Sequence, residues 1–366
     1  MSTSFALRFP VYRPLIGGLE KQYVNECLDS TWISSKGPFI ERFEESFARY
    51  IGVNHATSVC NGTVALHLAL LALGLQPDDE VIVPTLTYIA SVNTIVQARC
   101  KPVFVDSIDS SWQMDPADIV KKISPKTKAV MAVHLYGHPC NMKEIQKICQ
   151  KYGLFLIEDC AEAFGSMFEG NHVGGFGDIG TFSFFGNKTI STGEGGMVVM
   201  NNPDIHKLAY RYKTQGVSQE KTYWHDLIGY NYRMTNICAA IGMAQLEQAD
   251  VIIGKKRKLA KWYEDALVGL PLKTHQEIGN VKHSYWMCSL LLENPEDRDP
   301  LRNHLMKRGI ETRPFFYPAH QMPMYASGAV HPVAEFLSAR GINIPSYPAL
   351  SEEDVNEIAE SVRSFF

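Results

Sequence analysis

The sequence predicts a large doubly wound α/β domain followed by a smaller α+β domain, and three observations carry that expectation. From about residue 54 short apolar runs alternate with helical patterns, the mark of βα units that build a mostly parallel sheet. At 366 residues the chain is longer than one core supports, since single cores stop growing at roughly 250 to 300 residues. After Asp178, and again near residue 246, the pattern changes character.

Taken in order, the runs at 81–83, 102–105, 129–135 and 154–157 read as buried strands, with helical spacing at 63–73, 88–97 and 141–151 between them. The stretch TFSFFGNKTISTGEGGMVVM then holds two β-rich runs around a polar segment, which favours antiparallel or irregular pairing. A single long helical pattern spans 237–267. Beyond it, a helix at 302–308 with Pro314, Pro318 and Pro323 as breakers marks a second α+β unit. The expected division is 1–245 for the large domain and 246–366 for the small one.

Apolar residues make up 45 % of the chain and charged residues 20 %, so a sizeable core is expected and disorder is not. The net charge of −4 is thinly spread, which argues against nucleic acid as a partner. Lys255, Lys256, Arg257 and Lys258 form one dense basic run, read as a solvated helix face, with anion binding as the alternative. The eight cysteines contain no C-x-x-C pair and sit mostly in apolar segments, as expected for free thiols in a reducing cytoplasm. The start MSTSFALRFP lacks a signal-peptide pattern, and no run of about 18 apolar residues indicates a membrane span. No metal site is expected.

In a parallel sheet ligands bind at the carboxyl ends of the strands, and three such ends carry candidate chemistry. Glu158-Asp159 closes the run at 154–157 and delivers a carboxylate to that edge, although many α/β proteins carry an acid there. Asn61-Gly62-Thr63 opens a helix whose free N–H groups suit a phosphate, with a plain helix cap as the competing account. Lys188 follows FSFFGN, and an amine among aromatic and small residues has its charged form disfavoured, as imine formation requires. A lone lysine would be read as a surface residue. Together, a phosphate site, a carboxylate able to pair with a pyridinium nitrogen and an imine-forming lysine are the parts of a pyridoxal 5'-phosphate (PLP) enzyme.

Their order and motifs resemble the sugar aminotransferases of the DegT/DnrJ/EryC1/StrS type, which share the aspartate-aminotransferase fold, fold type I. The resemblance lies in NGTVALHLAL, PTLTYIASVNTI, HLYGHPCNM, IEDCAEAFGS, FSFFGNKTISTGEGGMVV and GYNYRMTNICAAIG, and it runs from about residue 10 to the end. By this resemblance Lys188 is the Schiff-base lysine and Asp159 the partner of the pyridine nitrogen. Tyr88 stands where an aromatic ring stacks on the cofactor, and Gly62, Thr63 and Ser183 stand at phosphate contacts. Asn231 matches a residue that reaches the phosphate of the neighbouring subunit, so a homodimer or a dimer of dimers with shared sites is implied. Glu162 departs from the Gln or His of many members, and a carboxylate beside the cofactor's phenolic oxygen must be protonated or turned away. Arg313, Tyr317 and His320, in RPFFYPAH, fall in the segment that the family brings near the sugar nucleotide.

The resemblance implies transfer of the amino group of L-glutamate to C4 of a nucleotide-linked 4-keto-6-deoxy sugar, and it is strongest to members acting on GDP-4-keto-6-deoxy-D-mannose. The alternatives are a UDP- or dTDP-linked sugar, a PLP-dependent dehydratase with histidine in place of the lysine, and a non-catalytic PLP or nucleotide-sugar binding regulator. Lys188 and Asp159 are both present, which disfavours the last two.

Overall fold

A computed structural model describes the chain over residues 7–218 and 220–366. The first six positions of the start read above against a signal-peptide pattern lie outside the described residues.

The strands of the first part are β1 (His55–Val59), β2 (Glu80–Pro84), β3 (Lys101–Val105), β4 (Thr127–Val133), β5 (Phe155–Asp159), the short hairpin β6 (Met167–Phe168) and β7 (Asn171–His172), β8 (Ile179–Ser183) and β9 (Gly196–Met200). Seven of them form one sheet in the order β1-β9-β8-β5-β4-β2-β3. The pairs from β8 to β3 are parallel, while β9 runs antiparallel to both β8 and β1. The helices are α1 (Glu20–Asp29), α2 (Pro38–Ile51), α3 (Gly62–Ala72), α4 (Ile89–Gln97), α5 (Pro116–Lys122), α6 (Met142–Tyr152) and α7 (Pro203–Lys213). Apolar side chains bury against both sheet faces, with Val81, Val83, Met131 and Ile157 in one cluster and Ile82, Val130, Ala132 and Leu156 in another. Strand alternation explains this split, and two-sided burial explains why the runs read as continuous apolar stretches. The run at 129–135 ends at Val133, because Leu135 has already entered a short 3-10 turn containing Tyr136 at φ +56°.

Next come α8 (Asn236–Glu247) and α9 (Ala249–Ala266), then β10 (Leu272–Thr274), β11 (Val281–Lys282), β12 (Cys288–Leu292), α10 (Arg298–Met306), β13 (Arg313–Pro314), α11 (Pro332–Arg340), β14 (Gly341–Ile344) and α12 (Glu352–Arg363). A second, antiparallel sheet runs β10-β12-β14-β13, with Pro314 tolerated on its edge strand. Strand β11 instead pairs with β6, and Phe9 bridges to Ile310, so both chain ends contribute to this half.

Two expectations need correction. The helical pattern at 237–267 is two helices bent by 62° at Gln248. No proline or glycine marks the break: α8 packs on α1 and α2 while α9 packs on α12, and these different partners set the bend. Among the described residues no single helix is long and apolar enough to cross a membrane, and this bent pair passes only together, by length and composition. The basic run is also not a uniformly solvated face, since Lys256 is fully buried. Its ammonium donates to the carbonyls of Trp286 (3.2 Å) and Ser346 (2.6 Å).

Glu158, at the end of β5, is fully buried and saturated by backbone donors. Its Oε1 accepts the N–H groups of Phe176 and Gly177 (both 2.7 Å), and Oε2 accepts that of Gly174 (2.8 Å) and faces His134 Nε2 at 3.2 Å. His134 Nδ1 in turn accepts the Cys140 N–H at 3.0 Å. His134, Glu158 and Cys160 bring three ligand-type atoms within 4.8 Å, but the oxygens and ring nitrogens are already committed to these bonds. The cluster is a knot tying β4 and β5 to the loop before β8. Glu158→Ala would strand three backbone donors, and unpaired buried donors cost about 1 to 3 kcal/mol each. Two of the three donors are only partly buried, so chemical denaturation should register a loss of about 1 to 3 kcal/mol.

Candidate active site

The carboxyl ends of β1, β2, β4, β5 and β8 meet at one edge of the large sheet, around a cleft of about 860 Å³. Gly62, Thr63, Tyr88, Ser91, Asp159, Glu162, Ser183 and Lys188 line it from the large sheet's side, and Trp286 and Phe316 from the other.

Helix α3 starts at the end of β1, where Asn61 Oδ1 accepts the Val64 N–H at 3.0 Å. The first N–H groups of a helix have no partner within the helix, so those of Gly62 and Thr63 point free at the dipole's positive end. The helix cap and the anion site weighed against each other above are therefore compatible, because they use different N–H groups. A Cβ on Gly62 would come within 2.6 Å of the Ser183 Cβ, and one on Gly196 within 2.7 Å of the Asn61 carbonyl. These glycines let β8 and β9 close against the start of α3, which sets the Ser183 hydroxyl beside the free N–H groups.

Asp159 closes β5 and is only 4 % exposed. Its Oδ2 accepts the Ser91 hydroxyl at 2.8 Å and its Oδ1 the Ala161 N–H at 3.0 Å, and Ser91 lies 3.0 Å from the Thr87 hydroxyl. Burial with neutral donors keeps this carboxylate in place, with no salt-bridge partner among the described residues.

Lys188 is half-buried, with Nζ 4.0 Å from the centroid of the Trp286 ring. Burial pushes its ammonium below the usual lysine range, against the opposing pull of Glu162 and Asp159. Its backbone is fixed as well. The Tyr12 hydroxyl donates to the Lys188 carbonyl (2.7 Å), and the Trp286 indole donates to that of Asn187 (2.7 Å).

Glu162 is turned so that Oε2 accepts the Tyr136 N–H at 2.8 Å. Burial raises its carboxyl to about 7, opposed by Lys188 and the Tyr136 N–H and aided by Asp159. A carboxyl with that value exists in both forms near neutrality.

Of the residues singled out from sequence, Gly62, Thr63, Tyr88, Asp159, Glu162, Ser183 and Lys188 line the cleft, while Asn231, Arg313, Tyr317 and His320 do not. Asn231 is exposed and accepts the Arg233 Nε at 3.0 Å. Arg313 pairs with Glu311 on the surface, and Tyr317 is 55 % exposed. His320 is buried, with Nδ1 at 2.7 Å from the Thr85 hydroxyl and Nε2 at 3.1 Å from Glu335, so both ring nitrogens brace the chain and neither faces the cleft. Sequence reasoning missed Ser91, Tyr136, Trp286 and Phe316. Ser91 follows Tyr88 by one helical turn, a spacing that could have singled it out, whereas Trp286 comes from a distant segment with no local signal.

The folded chain holds a Glu162 proton that the unfolded chain gives up between about pH 4.5 and 7. This group's contribution to stability is therefore full below that window and is lost as pH rises through it. Glu162→Gln carries no such proton. Denaturation of the cofactor-free chain at about pH 5 and about pH 7 should show a less unfavourable change with rising pH in the variant than in wild type.

The chain is 59 % identical over 358 residues to a protein of Escherichia coli O157:H7 named GDP-perosamine synthase, covering 98 % of each chain. It is 52 % identical to a protein of the same name from Vibrio cholerae, covering 98 % of this chain and 99 % of the relative. Among solved structures, Helicobacter pylori PseC, an aminotransferase involved in pseudoaminic acid biosynthesis, superposes with a TM-score of 0.94 at 27 % identity, covering 98 % of this chain and 99 % of PseC. Its fold is thus that of these PLP-dependent sugar aminotransferases, fold type I. The family profile matches residues 14–363, and the chain belongs to the DegT/DnrJ/EryC1/StrS aminotransferase family.

Proposed function

We propose that the chain is a PLP-dependent aminotransferase that moves the amino group of L-glutamate to C4 of GDP-4-keto-6-deoxy-D-mannose, giving GDP-perosamine. One observation carries the reading: a desolvated lysine amine shares a cleft with a buried carboxylate and with free helix N–H groups. The identity to the two named relatives supports the choice of sugar. The reading includes a large unit of residues 1–245 that holds the cofactor, a smaller unit of residues 246–366, action in the cytoplasm and a product destined for surface polysaccharide (O-antigen).

The residues fit PLP. The Gly62 and Thr63 N–H groups and the Ser183 hydroxyl suit its phosphate, the Tyr88 ring its face, and the Asp159 carboxylate its ring nitrogen. When bound, PLP supplies an aldehyde carbon that takes up amino nitrogen and a ring that accepts electrons. Asp159 would hold a proton on the ring nitrogen, because a buried anion favours the charged pyridinium. Lys188 would anchor PLP through Nζ, and once freed the same Nζ would accept the proton lost by the α-carbon of glutamate and deliver one to C4 of the sugar. Burial lowers the Lys188 ammonium from the usual lysine range, the direction that both tasks need. Trp286 and Phe316 exclude water from one side of the cleft.

Asn231 would serve the site of a second copy, in a homodimer or a dimer of dimers. Apolar side chains left in solvent support that assembly, with Trp32 52 %, Tyr223 93 % and Ile228 88 % exposed.

Two experiments test the reading. With PLP, glutamate and a panel of GDP-, UDP- and dTDP-linked 4-keto-6-deoxy sugars, mass analysis should find amination of the GDP sugar, and borohydride should fix the cofactor to Lys188. Asp159→Asn should lower kcat on the order of 10² to 10³, and near-normal turnover would remove that residue from the chemistry. In the second experiment, inactive Lys188→Ala and Asn231→Ala chains are mixed. Hybrid dimers should regain part of the activity, and shown subunit exchange without recovery would exclude a shared site.

A further inference from the structure

Lys256 lies in the middle of α9, fully buried, in the half of the chain opposite Lys188. Among the described residues it has no carboxylate partner, and burial pushes its ammonium down to about 8, with only the Cys288 thiol pulling the other way. An isolated buried charge is costly unless hydrogen bonds and polarisable groups hold it. Here the holders are the carbonyls of Trp286 and Ser346 and the ring of Tyr12, whose centroid is 4.9 Å from Nζ.

Two of these three holders are the two groups that fix Lys188. Trp286 has its carbonyl on Lys256, its indole N–H on the Asn187 carbonyl and its ring beneath the Lys188 ammonium. Tyr12 has its ring against the Lys256 ammonium and its hydroxyl on the Lys188 carbonyl. The contacts close a ring running Lys256, Trp286, Asn187-Lys188, Tyr12 and back to Lys256. Packing alone would seat the Tyr12 ring on an apolar side chain more cheaply than on an ammonium without a carboxylate partner. The cost of burying this charge is intelligible if it holds the Trp286 backbone and the Tyr12 ring in register.

We propose that Lys256 is a positioning residue: its buried ammonium clamps Trp286 and Tyr12, and through them sets the place of the Lys188 amine. The inference rests on the reading of Lys188 given above. It differs from a purely structural role because the consequence falls on Lys188 even in chains that are fully folded.

The test uses full-length chains loaded with PLP, wild type beside Lys256→Met, which keeps bulk but no donor, and Lys256→Gln, which keeps two N–H donors. Borohydride fixes the cofactor, peptide mass reads the fraction attached at Lys188, and turnover is divided by that fraction. Misplacement of a reacting group by about 1 Å costs on the order of 10²-fold. For Lys256→Met, kcat per fixed site should therefore fall roughly ten- to a hundredfold, and the PLP concentration giving half attachment should rise about tenfold. KM for the nucleotide sugar should stay put. Lys256→Gln should recover part of both losses. Folded variants with lowered thermal stability but wild-type kcat per fixed site and wild-type half attachment would overturn the proposal, as would failure of both variants to fold, which would make Lys256 a support of the fold instead. A wild-type chain with no adduct at Lys188 would sink the reading of the site itself, a result distinct from either.

Discussion

Two adjacent carboxylates end β5, both buried, and successive strand residues face opposite sides of the sheet. What surrounds the cleft depends on how each of these charges is satisfied. Glu158 takes three backbone N–H groups from 174–177 and faces His134, which fastens the segment leading into β8. Asp159 takes one hydroxyl from α4 and one N–H from the turn after β5, and keeps its remaining acceptor capacity for the cleft. The same backbone pleat that makes one acid structural leaves the other available.

That division sets the electrostatics around Lys188. Desolvation lowers its ammonium from the usual lysine range, while Glu162 and Asp159 oppose the shift. Glu162 moves the other way, its carboxyl raised to about 7. Opposed shifts in neighbouring titratable groups are how one cleft can hold an acid and a base at the same pH. The Tyr136 N–H that holds Glu162 comes from a residue at φ +56°, an uncommon conformation for a bulky side chain. The buried Tyr136 ring, packed against Phe315 and Trp286, stabilises that turn.

Much of this was legible in the sequence where the cause is local. The strands β2 to β5 and the helices α3, α4 and α6 fall within a residue or two of their apolar runs, because periodicity and burial coincide there. Asp159, which closes a strand, and Gly62 and Lys188, which follow strands in compact motifs, could be placed at this edge from local pattern, whereas Ser183 was singled out by the family resemblance alone. Lys256 was read as solvated because its neighbours in sequence are charged, whereas its surroundings come from residues 12, 286 and 346. The break at Gln248 escaped for the same reason, being set by which helices pack on either side and by no residue at the break. His320 had the composition of a substrate ligand, yet Thr85 and Glu335 hold both its nitrogens.

The cleft is polarised end to end, and this limits what can enter it. Free N–H groups at the start of α3 make one end attractive to an anion, and the buried Asp159 makes another part repel one and attract a cation or a protonated nitrogen. A ligand carrying a phosphate on one side and a basic ring nitrogen on the other satisfies both, while the reversed placement satisfies neither. Gly62 keeps the anion end in place: any side chain there would collide with Ser183 and push β8 away from the helix start. Lys188 lies in the loop that links β8 to β9, the two strands whose approach Gly62 and Gly196 permit. The amine and the anion site are therefore fixed by the same close packing, and a substitution that opened one would displace the other.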